Sequence, residues 1–315
     1  MIYTLTLNPS LDYVAAADTF NIGKTNRTRD EYFVPGGKGL NVSILLSRLG
    51  EETTAFGFVG GFTGDELIRL LGAENINCDF ARVAGNTRIN VKLSQKGITE
   101  FNASGVSLGE RDIAALIGKL QDLTAGDWLC LSGSIPKGAE ADIYLQLAQS
   151  VKKGVNVVVD AVGEPLKAAL KAKPFLIKPN TDELGELFGT EIKTKQQAAD
   201  YAKKLQEMGA QNVLVSMGGD GALLVDMNGN TYFEAAPKGE VINTVGAGDS
   251  MIAGFIHSYL QTEDFAQSLK FAVAAGSATA FSSWLAEQKL IEDIYSGQWA
   301  VGQVKLNPFD LWANE

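Results

Sequence analysis

The residues best placed to do chemistry stand together in Asn243-Thr244-Val245-Gly246-Ala247-Gly248-Asp249-Ser250, just ahead of the apolar run Met251-Ile252-Ala253-Gly254-Phe255-Ile256. Small residues from Gly246 to Gly248 let the backbone turn tightly and leave its N–H groups bare. The apolar run predicts a buried helix, whose first turn carries unpaired donors and the positive end of the helix dipole. A terminus of that kind accepts an anion, most often phosphate. Asp249 is the unusual part, because a carboxylate beside a bound phosphate repels it. Two readings are open. Either Asp249 caps the helix and the glycines make a turn, or Asp249 is the general base of a phosphoryl transfer and has to stand beside the group that moves. Two familiar glycine loops are excluded. The dinucleotide pattern needs Gly where Met251 stands, and the P-loop needs Gly-Lys-Ser/Thr where Gly248-Asp249-Ser250 stands.

Pro35-Gly36-Gly37-Lys38-Gly39-Leu40-Asn41 is the second such stretch. Its glycines permit close backbone approach, Lys38 offers a cation, and Asn41 falls on the first turn of a helix predicted over 40–49, within reach of a polyol. A plain turn with a solvent lysine fits the same letters. Asp12 follows Asn8-Pro9-Ser10 at the exit of the first predicted strand, where it either holds sugar hydroxyls or closes an Asx turn. Arg27 and Arg29 alternate along a predicted strand, so they share a face and are either solvated or aimed at an anion. Arg88, Asn90 and Lys92 alternate with Ile89, Val91 and Leu93, which makes one face polar. Arg88 is the phosphate candidate of that face, and Lys92 is expected in solvent. Asn180 and Glu183 have the spacing of a helix cap, and equally of two oxygen ligands that order water around Mg²⁺. His257, the one histidine, is expected to pack and is given no catalysis.

The elements that must carry these residues fall into two patterns. From residue 109 onward, helical and β-rich segments alternate. Strands are predicted at 128–131, 155–159, 175–177 and 213–216, with helices between them, so a parallel sheet covered on both faces is implied. Its strand ends supply Ser132-Gly133-Ser134, Asp160 and Lys178-Pro179-Asn180, all on one edge. Gly218-Gly219-Asp220-Gly221 then offers open backbone for a nucleotide. An Ala-rich helix over 267–282 carries Ala272, Ala275, Gly276 and Thr279, small enough for close packing or for an adenine ring. Earlier, short strands at 14–20, 27–34, 80–83, 87–93 and 99–103 lack a helical period, are broken at Gly85-Asn86 and Gln95-Lys96-Gly97, and predict a small antiparallel excursion.

Composition sets bounds on all of this. At 315 residues, 45% hydrophobic and 20% charged, the chain has the make-up of a globular protein. A net charge of −10 removes any global attraction to nucleic acid or anionic membrane, so phosphate must be held by local cations and backbone donors. Cys78 and Cys130 lie far apart with no C-x-x-C spacing, as expected in a reducing compartment. The start Met1-Ile2-Tyr3-Thr4-Leu5 reads as a strand rather than a signal peptide, and no segment has transmembrane length, so cytoplasm is the expectation.

In order, Gly36 to Asn41 early, Asn180-Thr181-Asp182-Glu183 midway and Asn243 to Ser250 late resemble the signatures of the ribokinase/PfkB sugar-kinase family, and the likeness runs through essentially the whole chain. Thr87-Arg88-Ile89-Asn90-Val91-Lys92 and Thr99-Glu100-Phe101-Asn102 look most like members that convert fructose 1-phosphate to fructose 1,6-bisphosphate, with those acting on tagatose 6-phosphate next. The resemblance implies a three-layer ribokinase-like α/β fold with a mostly parallel central sheet. It implies one kinase domain over 1–315, with a small β-sheet lid from about 12–35 and 86–104. ATP would be the donor and Mg²⁺ the bridging ion. Asp249 would be the base, and the amides of Gly246, Ala247 and Gly248 the anion hole. Asp12, Gly37, Asn41 and Asn90 would hold the sugar, and Arg27, Lys38 and Arg88 its phosphate. Lys178, Ser216, Gly218, Gly221 and Gly248 would line the ATP site, with Asn180 and Glu183 at the metal. Exposed lid strands could pair two copies into a homodimer. A non-catalytic sugar-phosphate sensor on the same fold is the alternative from another class.

Overall fold

The computed structural model describes residues 1–94 and 98–299. Its strands are β1 (Ile2–Thr6), β2 (Ser10–Ala16), β3 (Asp30–Gly36), β4 (Thr53–Val59), β5 (Asn77–Cys78), β6 (Ala81–Arg82), β7 (Arg88–Ser94), β8 (Ile98–Phe101), β9 (Trp128–Ser132), β10 (Asn156–Asp160), β11 (Leu176–Ile177), β12 (Asn212–Ser216), β13 (Ala222–Val225) and β14 (Thr231–Glu234). Its helices are α1 (Lys38–Arg48), α2 (Gly61–Ala73), α3 (Glu110–Leu120), α4 (Ile143–Ser150), α5 (Gly163–Ala169), α6 (Thr181–Phe188), α7 (Lys195–Glu207), α8 (Ala247–Thr262), α9 (Phe265–Ala280) and α10 (Gln288–Tyr295). The turn expected at Gln95-Lys96-Gly97 lies outside the described residues.

The large sheet runs β14-β13-β12-β11-β10-β9-β1-β4-β5, with β6 also on β4; only β12, β13 and β14 pair antiparallel. Its central strands are apolar on both faces, so successive residues feed two separate cores. Leu129, Leu131, Val157, Val159, Val213 and Val215 pack with α3 to α7. The intervening Trp128, Cys130, Val158 and Leu214 pack with α1, α8, α9 and α10. Helices on both faces of a mostly parallel sheet make three layers, the arrangement the alternation predicted. Burial of a large aliphatic side chain is worth about 1.5–3 kcal/mol. A slip of one residue would exchange the two sets, so the register is strongly fixed.

That register sets the site. Thr6, Ser132 and Asp160 are direct neighbours at the ends of β1, β9 and β10. Lys178 and Ser216 follow from β11 and β12 on the same edge. On one face, α8 and α9 lie close because their contact is lined by small residues. A Cβ at Gly254 would stand 2.8 Å from the Ala275 Cβ, and one at Gly276 would press on Met251. Ser250 Oγ and Thr279 Oγ1 join the two helices at 2.7 Å. The small residues of the Ala-rich helix thus serve packing, although Gly276 also borders a cleft.

The second sheet has four strands in the order β3-β2-β7-β8 and stands apart from the first. Four expectations change here. β2 and β7 pair parallel, so the excursion is a mixed sheet rather than the antiparallel one expected. Asp12 lies within β2, paired with Asn90 and Val34, so it closes no Asx turn. The segment 80–83, expected in this excursion, pairs instead through β6 with β4 of the large sheet. β3 begins only at Asp30, so Arg27 and Arg29 lie in the preceding loop and share no strand face. Among the described residues no helix is long and apolar enough to cross a membrane.

Candidate active site

Two cavities meet at the strand-end edge of the large sheet. One is a cleft of about 670 Å³ between the 216–221 turn, the 236–241 loop, the start of α8 and the C-terminal half of α9. The other is a polar pocket of about 600 Å³ between the strand ends and the inner face of the small sheet. Asn180, Ser216 and Gly248 border both. A ligand spanning the two would therefore pass the first turn of α8.

That turn is built for an anion. Gly246 takes the left-handed conformation (φ 82°) at the head of α8, and no side chain caps the helix. A side chain at Gly246 would run into Leu285 at 2.7 Å, and one at Gly248 into the Lys178 ammonium at 2.9 Å. Glycine therefore leaves the helix amides bare beside a cation.

Asp249 sits on this turn, 6% exposed, with Oδ2 accepting a 2.8 Å hydrogen bond from Asn41 Nδ2. Burial pushes its pKa up to about 7, and the nearby Asp160 carboxylate adds to the rise; Lys38, the Asn41 bond and Lys178 oppose it. Asp160 is 1% exposed. Burial alone would raise its pKa, but Lys178 at 3.6 Å and Lys38 at 3.2 Å from Oδ1 outweigh that and hold it ionised. The two carboxylates are thus driven apart in acidity, the pattern of a permanent anion beside a proton acceptor. Among the described residues, Asp160 Oδ2, like Ser132 Oγ and Thr6 Oγ1 on the adjoining strands, finds no hydrogen-bond partner. Burial lowers the pKa of Lys38, but Asp160, Asp249 and Glu183 raise it by more, so Lys38 stays charged.

Across the pocket, the inward face of the small sheet forms a second network. Asp12 Oδ1 accepts from Ser10 Oγ at 2.6 Å and from Asn90 Nδ2 at 2.9 Å, while Oδ2 meets Lys92 Nζ at 2.9 Å. A Cβ at Gly36 would overlap the Asp12 carboxylate, so glycine makes room for it. Arg88 braces the neighbouring loops through the carbonyls of Asn8 and Ala103, at 2.9 and 3.0 Å. Gly37 (φ 127°) heads α1 and brings Lys38 and Asn41 into the pocket. Asn180 and Glu183 form a reciprocal cap on α6: Asn180 Oδ1 accepts from Glu183 N at 2.7 Å, and Glu183 Oε2 from Asn180 N at 2.9 Å.

Against known proteins, the model of pfkB family carbohydrate kinases matches residues 6–288. The chain belongs to the pfkB family of carbohydrate kinases. It is 45% identical over 295 residues to the 1-phosphofructokinase of Bacillus subtilis, covering 93% of this chain and 97% of that one. It is 36% identical over 298 residues to the D-tagatose-1-phosphate kinase of Bacillus licheniformis, covering 94% and 98%. Among solved structures, phosphofructokinase-2 from Escherichia coli in complex with substrates and products superposes with a TM-score of 0.89 at 32% identity, covering 94% of this chain and 98% of that one. The Escherichia coli protein has also been solved in a tetrameric inhibited form.

In this pfkB kinase the polar pocket collects Asp12, Gly37, Lys38, Asn41, Arg88 and Asn90. It also collects Lys178, Glu183, Gly246 and Asp249, while Gly218, Gly221 and Ala247 line the cleft. Arg27 is exposed and borders neither cavity, because its loop lies beyond the ends of β2 and β3. Lys38 pairs with Asp160 at 3.2 Å and lines the same pocket as Arg88, so of the three cations expected together only Arg27 lies outside it. Lys92, expected in solvent, is 15% exposed and bound to Asp12. Lys92 and Asp160 carried no assigned role in the sequence. Alternation with Arg88 was the available signal for the first, and a strand-end carboxylate for the second. His257 packs against Phe271 and meets Glu51 at 2.8 Å, away from both cavities.

Proposed function

We propose that this kinase transfers the γ-phosphoryl group of ATP to the C6 hydroxyl of fructose 1-phosphate, giving fructose 1,6-bisphosphate and ADP. The observation that carries the reading is Asp249: a buried carboxylate, raised to about 7, on an amide-lined turn where the cleft and the pocket meet. ATP occupies the cleft, with its phosphates at the amides of 246–249 and near Lys178. The sugar phosphate occupies the polar pocket. Its ring hydroxyls meet Asp12, Asn90, Asn41 and Gly37, and its resident phosphate meets Arg88. The C6 hydroxyl gives its proton to Asp249 as its oxygen attacks γ-phosphorus in line, and the bond from that phosphorus to the ADP oxygen breaks. Charge gathering on the transferred group is met by the helix amides and by Lys38, which Asp160, Asp249 and Glu183 keep charged. The small sheet acts as a lid whose closure excludes water.

Among the described residues no cluster of three His, Cys, Asp or Glu side chains is placed to hold a metal. Mg²⁺ commonly uses only one or two carboxylates together with substrate phosphates. The residues fit that requirement: the cap uses Glu183 Oε2 and leaves Oε1, and Asp160 Oδ2 finds no hydrogen-bond partner among the described residues. Asn180 and Glu183 would hold the ion through water, where it would neutralise phosphate charge.

Sugar identity is the finer point. The tagatose-directed relatives are named for the 1-phosphate, so the competing substrate becomes tagatose 1-phosphate rather than tagatose 6-phosphate. It differs from fructose 1-phosphate in the configuration at C4. The test is a panel of ketohexose monophosphates with ATP, scored by kcat/KM. Fructose 1-phosphate is expected to lead by at least tenfold, which one hydroxyl facing buried polar groups can supply. A lead for tagatose 1-phosphate would reassign the substrate, and binding without ADP release would favour a sensor.

We place the chain in the cytoplasm as a single folding unit, and infer that two copies pair through their lids. The small sheet turns its polar side chains inward and leaves Phe33, Tyr13, Val91 and Phe101 in one cross-strand row on the other face. Phe101 is 57% exposed and Phe33 41%. A row of this kind is an association surface. Phe101→Glu is expected to convert a dimer to a monomer in sedimentation. A wild-type monomer at assay concentration would overturn the pairing.

A further inference from the structure

The wall of the cleft that faces α9 has an unusual support. Between β14 and α8 the chain runs through residues 235–246 without regular structure, and Lys238 and Gly239 line the cleft. Further along, Ile242 N and Asn243 N bond to the Ala280 carbonyl at 2.8 and 3.2 Å, which ties the end of the loop to α9. At Lys238 the support is different. Trp299 Nε1 donates to the Lys238 carbonyl at 3.2 Å, and the indole stacks on Phe281, with ring centres 5.7 Å apart and planes 14° from parallel. Phe281 borders the cleft and is 5% exposed. A Cβ at Gly239 would overlap the Phe281 ring, so glycine there lets the ring meet the loop backbone directly. Trp299 thus grips two parts of one wall, and it lies beyond residue 288, where the family model stops matching.

We propose that Trp299 is a positioning residue for the nucleotide: it fixes Phe281 and the 238–239 backbone at the base end of the cleft, touching neither sugar nor phosphates. The inference rests on the reading of this cleft as the ATP site. An apolar wall of Val273, Ala280 and Phe281 beside a strip of loop backbone suits a purine, which packs against apolar side chains and hydrogen-bonds to exposed backbone groups. Removing the indole leaves the Phe281 face and the loop free to shift, so the purine would be bound less firmly. The phosphate end, held by α8 and Lys178, would be unaffected. The predicted signature is selective for one substrate, which a general loss of stability would not give.

The experiment uses the full chain. Trp299→Ala is expected to raise KM for ATP by about tenfold, the loss of one hydrogen bond and one ring stack. kcat and KM for fructose 1-phosphate should stay within about twofold. Trp299→Phe keeps a ring on Phe281 without the indole N–H and is expected to fall between; it carries the test if the alanine variant melts below assay temperature. ADP should change the tryptophan emission of the wild type, and that change should vanish in Trp299→Phe. An unchanged KM for ATP, or equal rises for both substrates, would overturn the proposal. Ser277→Phe, which narrows the same cleft, separates the two levels. If it leaves ATP binding intact, the cleft is not the nucleotide site. If it weakens ATP while Trp299→Ala does not, only the role of Trp299 fails.

Discussion

Replacing Asp249 with Asn is expected to lower kcat by about 10²–10⁴-fold while ATP and sugar phosphate still bind. The amide can keep the hydrogen bond with Asn41 and fills the same space, so the first turn of α8 should stand unchanged. What it cannot do is take a proton. Near-normal turnover in this variant would remove the base from the mechanism. Acidity makes the same point in the wild type: with the carboxyl pushed up to about 7, kcat/KM should fall below pH 7 as the base is protonated. The sign for stability is opposite. A carboxyl whose pKa in the folded chain lies above its ordinary value favours the fold at low pH, and that support is lost as pH rises through about 7. The variant escapes this loss. Its melting temperature should therefore exceed the wild type's at pH 8, with the gap closing toward pH 4. A gap that widens on acidification would mean that Asp249 is stabilised as an anion, contrary to its burial beside Asp160.

Arg88→Ala should raise KM for the sugar phosphate by about 10–100-fold, the range expected when a charge-assisted pair with a phosphate is lost, and change KM for ATP little. Arg88 lines the polar pocket only, and no part of the cleft depends on it directly. Its guanidinium also braces the carbonyls of Asn8 and Ala103, so a purely structural effect has to be separated from loss of the ligand. Lys at this position keeps the charge and loses the forked geometry. It should recover part of the sugar-phosphate affinity, and none if bracing alone matters. Parallel rises in KM for both substrates would make Arg88 a structural residue.

The parts of the site legible in the sequence were those encoded locally. The run from Gly246 to Asp249 specifies a bare helix start by composition alone, and the Asn180/Glu183 spacing specifies a cap, which the structure forms in full. The regular alternation after residue 109 gave the parallel sheet and the edge on which Asp160 and Lys178 meet. What escaped depends on contacts between distant segments. Lys92 shares the inward face with Arg88 and Asn90, but only the pairing of β2 beside β7 brings it to Asp12. Arg27 left its expected strand for a boundary reason: the strand starts three residues later than the alternation suggested. Ala81 and Arg82 went to the large sheet because β4 extends far enough to pair with them. Lys38 read as one more cation for the sugar's phosphate, and its pairing with Asp160, over a hundred residues away in sequence, left no local trace.

The small sheet is joined to the rest of the molecule so that transfer and choice of acceptor are built from different stock. On the proposed reading, what handles the moving phosphoryl group hangs from β10, β11, α8 and, through Lys38, α1, whose roots lie in the two cores. On the same reading, most of the sugar's contacts hang from alternate positions on β2 and β7, whose other side carries the partly exposed Tyr13 and Val91. Inward side chains there can be exchanged without disturbing a core. A lineage could therefore retune which ketose it accepts by editing a handful of positions, leaving the engine of phosphorylation as it stands.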